Sequence, residues 1–321
     1  MEWLKDAGVP WPDGARAAAC ISWDCDGDAT AQLSWPDDVN GHAFTTSWMQ
    51  HDRVAIPRIV DMYEYYGIKQ TFFVPAWCIE EYPKVFETVV ANGHEIGMHG
   101  YLHEGASHQS AEGELFWMRR CADIIEKFSG RRPVGNRSPG GLMSEKTYDY
   151  LVQEGFLYDS TLMHDNFPYV LATSAGNILE LQSDLMANDD WVQYAHVWDL
   201  QFMMQPRSPQ EAGAVYLAEF EAAYASGSAW IASFHAQISG RLARLTQVGR
   251  IIEHIQAKGD VWMATMEEIA LHVNKCISDG SWKPRVVDMP LYPKGRIPAL
   301  RPGFVPDEVA LRVTPPIPWT D

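Results

Sequence analysis

The chain has 321 residues, 46% hydrophobic and 21% charged, which is enough apolar material for a large globular core. Asp and Glu number 42 against 25 Lys and Arg, a net charge of -17 that repels phosphate polymers and anionic membrane faces and so argues against nucleic-acid and membrane partners. Five cysteines without a CxxC pair read as reduced thiols. With no basic-apolar leader and no run of ~18 apolar residues, the expected location is the cytoplasm.

The first 15 residues read as a loop arm. ARAAACISWD (15–24), apolar and then abruptly acidic, is a buried strand. Residues 25–50 are polar and aromatic and predict a long loop, which inside a domain is usually functional. A helix over 51–67 ends at Gly67. A strand over 69–76, a helix over 80–93 and the strand HEIGMHG (94–100) follow. A long amphipathic helix over 110–130 starts on the cap Ser110. RRPVGNRSP (131–139) is a short strand and loop. A helix over 144–155, with Ser144 as its cap, leads to a strand over 156–161. Strands at 177–184, 229–236 and 261–265 alternate with helices at 208–227, 241–259 and 266–276. Past 276 proline is frequent and periodicity fades. Residues 277–321 are therefore expected to be a tail lying on the 1–276 domain or on a neighbouring subunit of a homo-oligomer. The alternation predicts an α/β fold with a parallel sheet, and seven or eight strands predict a barrel, whose chemistry gathers at the C-terminal strand ends.

The reactive side chains fall at those ends. Strand 15–24 ends in Asp24-Cys25-Asp26, and positions i and i+2 of an extended segment face one side. Two carboxylates so close raise each other's pKa unless a cation separates them; a turn with solvated aspartates is the plainer reading. His99 and His103, four apart, would converge on a divalent metal if the chain turns helically after the strand. On spacing alone, two ordinary polar or core histidines are the commoner case. Strand 132–138 ends at Arg137-Ser138-Pro139, strand 156–161 ends near Asp159-Ser160, and strand 229–236 ends at His235. Singly, Arg137 reads as a surface ion-pair partner and His235 as a packed core residue. Together, acid, histidine pair, arginine and histidine at successive strand ends outline an active-site rim. No HExxH, G-x-S-x-G, G-x-G-x-x-G or P-loop is present.

In this order SWDCDGD, HGYLHE, GNRSPGG, YDSTL and SFHAQISGR resemble the five motifs of the polysaccharide deacetylase family, the NodB-like carbohydrate esterases, over about residues 16–276. The stretch from HAQISGR to VWMATMEEIA resembles one branch, that of intracellular peptidoglycan deacetylase-like proteins, cyclic imide hydrolases and cofactor-independent allantoinases. The resemblance implies a distorted, TIM-like (β/α)7–8 barrel. It implies one divalent metal on Asp26, His99 and His103, zinc first, with iron, cobalt or nickel as alternatives. It makes Asp24 the catalytic base, Arg137 the group that orients it and His235 the general acid. Two departures stand out: Ala236 follows the last histidine where the family usually has proline, and His103, which the metal-free allantoinases lose, is kept. The expected reaction is metal-assisted hydrolysis of an amide, in an N-acetylated sugar or in a small amide or cyclic imide. Trp35, Phe44 and Trp48 would narrow the mouth of the site. A metal-free barrel using Asp24 and His235 alone, and an inactive binding barrel, are the competing readings.

Overall fold

The first strand carries two faces, and everything else is arranged on them. All eight residues of Ala17–Asp24 are buried. With the two-residue repeat of a strand, Ala19, Ile21 and Trp23 point into the larger core beneath the helices, while Ala18 and Cys20 join a second core inside the sheet's curve. Ser22 and Asp24 continue that inner face, so it turns from apolar to polar on approaching the C-terminal end.

The computed structural model describes residues 8–194 and 206–291. They carry one ten-stranded sheet: β1 (Ala17–Asp24), β2 (Thr71–Val74), β3 (Glu95–Met98), β4 (Gly135–Asn136), β5 (Tyr158–Asp159), β6 (Tyr169–Thr173), β7 (Gly176–Glu180), β8 (Ala229–His235), β9 (Val261–Met263) and β10 (Arg285–Asp288). The helices are α1 (Ala29–Ser34), α2 (Ala43–Met49), α3 (Asp52–Tyr66), α4 (Ala76–Glu81), α5 (Pro83–Ala91), α6 (Ala111–Ser129), α7 (Thr147–Gln153), α8 (Asp190–Tyr194), α9 (Pro209–Ser226), α10 (Ala236–Ser239), α11 (Leu242–Gln256) and α12 (Met266–Asp279).

The strand order is β10-β6-β7-β5-β4-β3-β2-β1-β8, with β9 beside the start of β1. All pairings are parallel except the β6–β7 hairpin. The sheet curls into a distorted barrel whose last gap is closed by the chain after β7. There Asp189 bridges to Ser233 of β8, and the Ser183 hydroxyl donates to the Ile231 carbonyl. Register brings Asp24 opposite His235 on one side and Phe73 on the other. Helix starts follow local capping chemistry: Ser110 accepts from the Gly113 amide, and Ser208/Glu211 and Thr265/Glu268 form capping boxes.

Four expectations need correction. Residues 25–50 are not one loop, since α1 and α2 lie within them; both helices are short and lack a side-chain cap, which left no signal in the sequence. The helix after residue 144 begins at Thr147 with Lys146 as its cap, and the Ser144 hydroxyl instead donates to Glu114. β6 was not anticipated. Folded structure also runs past residue 276, because α12 reaches Asp279 and β10 pairs with β6 at the edge of the sheet. The remainder of the expected tail, residues 292–321, lies outside the described residues.

Candidate metal centre and catalytic site

Asp24 is the last residue of β1, and Arg137 follows the two-residue β4. The guanidinium Nη1 lies 2.6 Å from Asp24 Oδ1. Nη1 also donates to Ser233 Oγ, Nη2 to Ser22 Oγ and Ser160 Oγ, and Nε to the Ser160 carbonyl. All five N–H donors of Arg137 are thereby engaged, and its face rests 4.2 Å from the centre of the Phe73 ring. The expected surface-type alternative for Arg137 is excluded: it is 3% exposed. Burial pushes the Asp24 pKa up, but Arg137, with His99 and His235, outweighs it, and Asp24 is held below the usual carboxylate range. Its Oδ2 stays on the open side, 3.4 Å from the Ser233 hydroxyl, 3.8 Å from His99 Nε2 and 3.9 Å from His235 Nε2.

Asp26 stands in the turn beyond β1. Its Oδ2 accepts from the Gln237 amide at 3.2 Å. Its Oδ1 is buried without a hydrogen-bond partner, as is His99 Nε2, 3.4 Å away. His99 Nδ1 is 2.7 Å from the Arg137 carbonyl, which can only accept, so in the neutral ring the proton sits on Nδ1 and Nε2 presents its lone pair. His103 Nε2 approaches the same Asp26 oxygen at 3.7 Å. Burial lowers the His103 pKa to about 4, against the pull of Asp26, and keeps the ring neutral. A proton on His99 would serve only two of these three acceptors; one divalent ion would serve all three. The three atoms lie within 4.8 Å of one another, compatible with ligand bonds of ~2.1 Å around one ion. Asp26, His99 and His103 fit the expected metal.

The route by which His103 arrives differs from expectation. The chain does not turn helically between His99 and His103. Gly100 (φ 71) and His103 itself (φ 64) take left-handed conformations, and the Glu104 carboxylate binds the amides of Tyr101 and Leu102. The four-residue spacing works through a tight turn held from within.

His235 is the last residue of β8 and is buried. Its Nδ1 is 2.7 Å from Asp190 Oδ1, while Asp190 Oδ2 accepts from the His235 and Ser239 amides. Nε2 points at the two catalytic-side carboxylates, 3.9 Å from Asp24 and 3.8 Å from Asp26. Burial opposes charging, but Asp189, Asp190 and Asp26 together raise the His235 pKa well above that of free histidine. Asp189, Asp190, Gln237, Ser22 and Ser233 escaped the sequence reading. Asp189 stands just before α8 and Asp190 is its first residue, and no motif singles them out in the sequence.

Asp159 of YDSTL does not reach the site: it pairs in register with Glu180, and its carboxylate accepts from the Asn136 amide and the Thr161 hydroxyl. Its neighbours Ser160 and Thr161 do line the cavity. Of the three aromatic residues expected at the mouth, Trp35 stacks on His42, Phe44 is exposed, and Trp48 packs edge-on against Trp191, which in turn packs edge-on against His235. The site opens into a cavity of about 330 Å³ walled by Thr30, Gly140, Gly141, Leu185 and Trp191.

The sequence model of the polysaccharide deacetylase family matches residues 43–158. A peptidoglycan deacetylase of Helicobacter pylori is 28% identical over 260 residues, 73% of this chain and 87% of its own length. The crystal structure of a Mycobacterium smegmatis protein assigned to the polysaccharide deacetylases is 33% identical, covers 89% of this chain and 99% of its own, and superposes with a TM-score of 0.82. An allantoinase, at 22% identity, 85% and 94% coverage and a TM-score of 0.73, shares the fold. An acid, two histidines, an arginine-held aspartate and a carboxylate-held histidine on this barrel, with a relative matched over almost its full length, lead to one conclusion: the chain belongs to the polysaccharide deacetylase family, hydrolases of amide bonds.

Proposed function

We propose that this chain is a metal-dependent hydrolase that cleaves the amide bond of a small uncharged substrate, an N-acetylated sugar or a cyclic imide. The observation that carries the reading is the orphaned pair Asp26 Oδ1 and His99 Nε2, buried 3.4 Å apart and joined by His103. When bound there, a divalent ion, zinc first among candidates, would make water nucleophilic at neutral pH and polarise the amide carbonyl. Asp24, ionised and fixed by Arg137, is placed to take the proton of the attacking water on Oδ2. His235, charged and fixed by Asp190, is placed to protonate the departing nitrogen, which is otherwise a poor leaving group. Trp191 shields His235 from solvent on one side.

Two observations favour a small neutral substrate. The cavity, about 330 Å³, is near the lower end of the ~300–1,000 Å³ of ordinary ligand pockets and suits a single ring. Arg137 is the sole Lys or Arg among the described lining residues, and its donors are engaged, so no free Lys or Arg awaits a carboxylate or phosphate. The five free, buried cysteines favour a reducing compartment such as the cytoplasm, where small amides are at hand. The test is a turnover screen with zinc, cobalt or iron added, setting N-acetylglucosamine oligomers against succinimide and hydantoin. Turnover of either class that requires His99 supports the reading. A His99→Ala variant as active as the wild type refutes it.

A further inference from the structure

The loop that carries Asp26 is bolted down by residues that no step of the reaction uses. Gly27 has φ 53, a left-handed conformation that favours glycine, and a Cβ there would stand 3.2 Å from Cys78 Sγ. Its amide donates to Asp52 Oδ2 at 2.8 Å. The Cys78 thiol contacts the Asp26 carbonyl at 3.4 Å. On the far side of the ligand, the Gln237 amide takes Asp26 Oδ2 and leaves Oδ1 for the histidines. Asp52 starts α3 and Gln237 lies in α10, and these two helices pack on one another. Both residues are buried, and each keeps one orphaned oxygen, Asp52 Oδ1 and Gln237 Oε1.

From this arrangement we infer that Asp52 and Gln237 are positioning residues for the metal ligand, holding the Asp26 carboxylate from its backbone side and from its Oδ2 side so that Oδ1 alone faces the ion. The inference rests on the metal site argued above. It explains why the 25–50 segment returns where it does: the helix that follows it delivers Asp52 to the Gly27 amide. An asparagine at 52 keeps an acceptor for the Gly27 amide, which alanine does not. Without these partners the carboxylate is free to rotate, and outer partners of metal ligands typically contribute ~10–100-fold to affinity.

The experiment is zinc titration of the metal-stripped full-length chain against a chromophoric chelator, with circular dichroism to certify the fold. Asp52→Ala and Gln237→Ala are expected to weaken zinc binding by about 10–100-fold, and Asp52→Asn to stay within about threefold of the wild type. Gln237→Met, matched in size and without the amide, serves if an alanine variant does not fold. It is expected to weaken binding like Gln237→Ala. Folded variants that bind as tightly as the wild type overturn the inference, as does an Asp52→Asn variant as weak as Asp52→Ala. A wild-type chain that takes up no zinc, cobalt or iron removes the metal site itself, and this inference with it.

Discussion

Arg137 and Asp24, 113 residues apart in sequence, meet at 2.6 Å with both side chains buried. The pair does two things at once. It keeps a desolvated carboxylate ionised, and it ties Oδ1 to the guanidinium while Oδ2, which accepts from the Ser233 hydroxyl at 3.4 Å, stays on the open side. Three serines, Ser22, Ser160 and Ser233, and the Ser160 carbonyl hold the guanidinium in plane. Lysine has neither the plane nor five donors. Arg137→Lys is therefore expected to lower kcat/KM by ~100-fold or more, and Arg137→Ala to destabilise the fold by ~3–5 kcal/mol by leaving a buried charge unpaired. Steady-state kinetics and thermal denaturation read the two effects separately.

The pH dependence should report His235. Its pKa is raised above the ~6.5 of the unfolded chain, against the effect of burial, chiefly by Asp189 and Asp190. A raised pKa means that its contribution to stability is full below the unfolded value and is lost as pH rises through the folded one. In the proposed reaction the same protonated form is the general acid, so activity should fall on the alkaline side. Asp190→Asn removes one of the stabilising charges; the alkaline limb of kcat should then move to lower pH. A limb that stays in place in Asp190→Asn would assign the proton to another group.

A glycine of β3 links the core to this site. An added Cβ at Gly97 would sit 2.6 Å from the Phe73 ring, and that ring lies under Arg137. Gly97→Ala is expected to cost ~1–3 kcal/mol through overpacking. Because the displaced ring pushes on Arg137, kcat should fall as well. Denaturant melts and turnover at a temperature well below the melting point distinguish the two losses.

Much of the site was readable because a strand end is a strong positional signal. The change from apolar to acidic at Trp23-Asp24, the HEIGMHG run before His99 and the AWIASFH run before His235 each mark a buried strand meeting the barrel rim. What surrounds these residues was not readable. Asp189 and Asp190 come from the start of α8, where the chain closes the barrel beside β8, a contact fixed by tertiary structure and not by periodicity. His103 reaches the ligand set through a left-handed turn stabilised by Glu104, where a helical spacing was the natural guess. β10 is largely exposed and produced no apolar run; β7 was expected as a strand over 177–184, but its hairpin partner β6 was missed.

The convergence of Asp26, His99 and His103 on one divalent ion is tested most directly by elemental analysis of the purified full-length chain beside Asp26→Ala and His99→Ala. About one equivalent of a divalent metal per wild-type chain, with most of it lost in both folded variants, is the predicted result. Wild-type protein without stoichiometric metal after growth and purification with zinc, cobalt or iron supplied, or variants that retain the full equivalent, would contradict it.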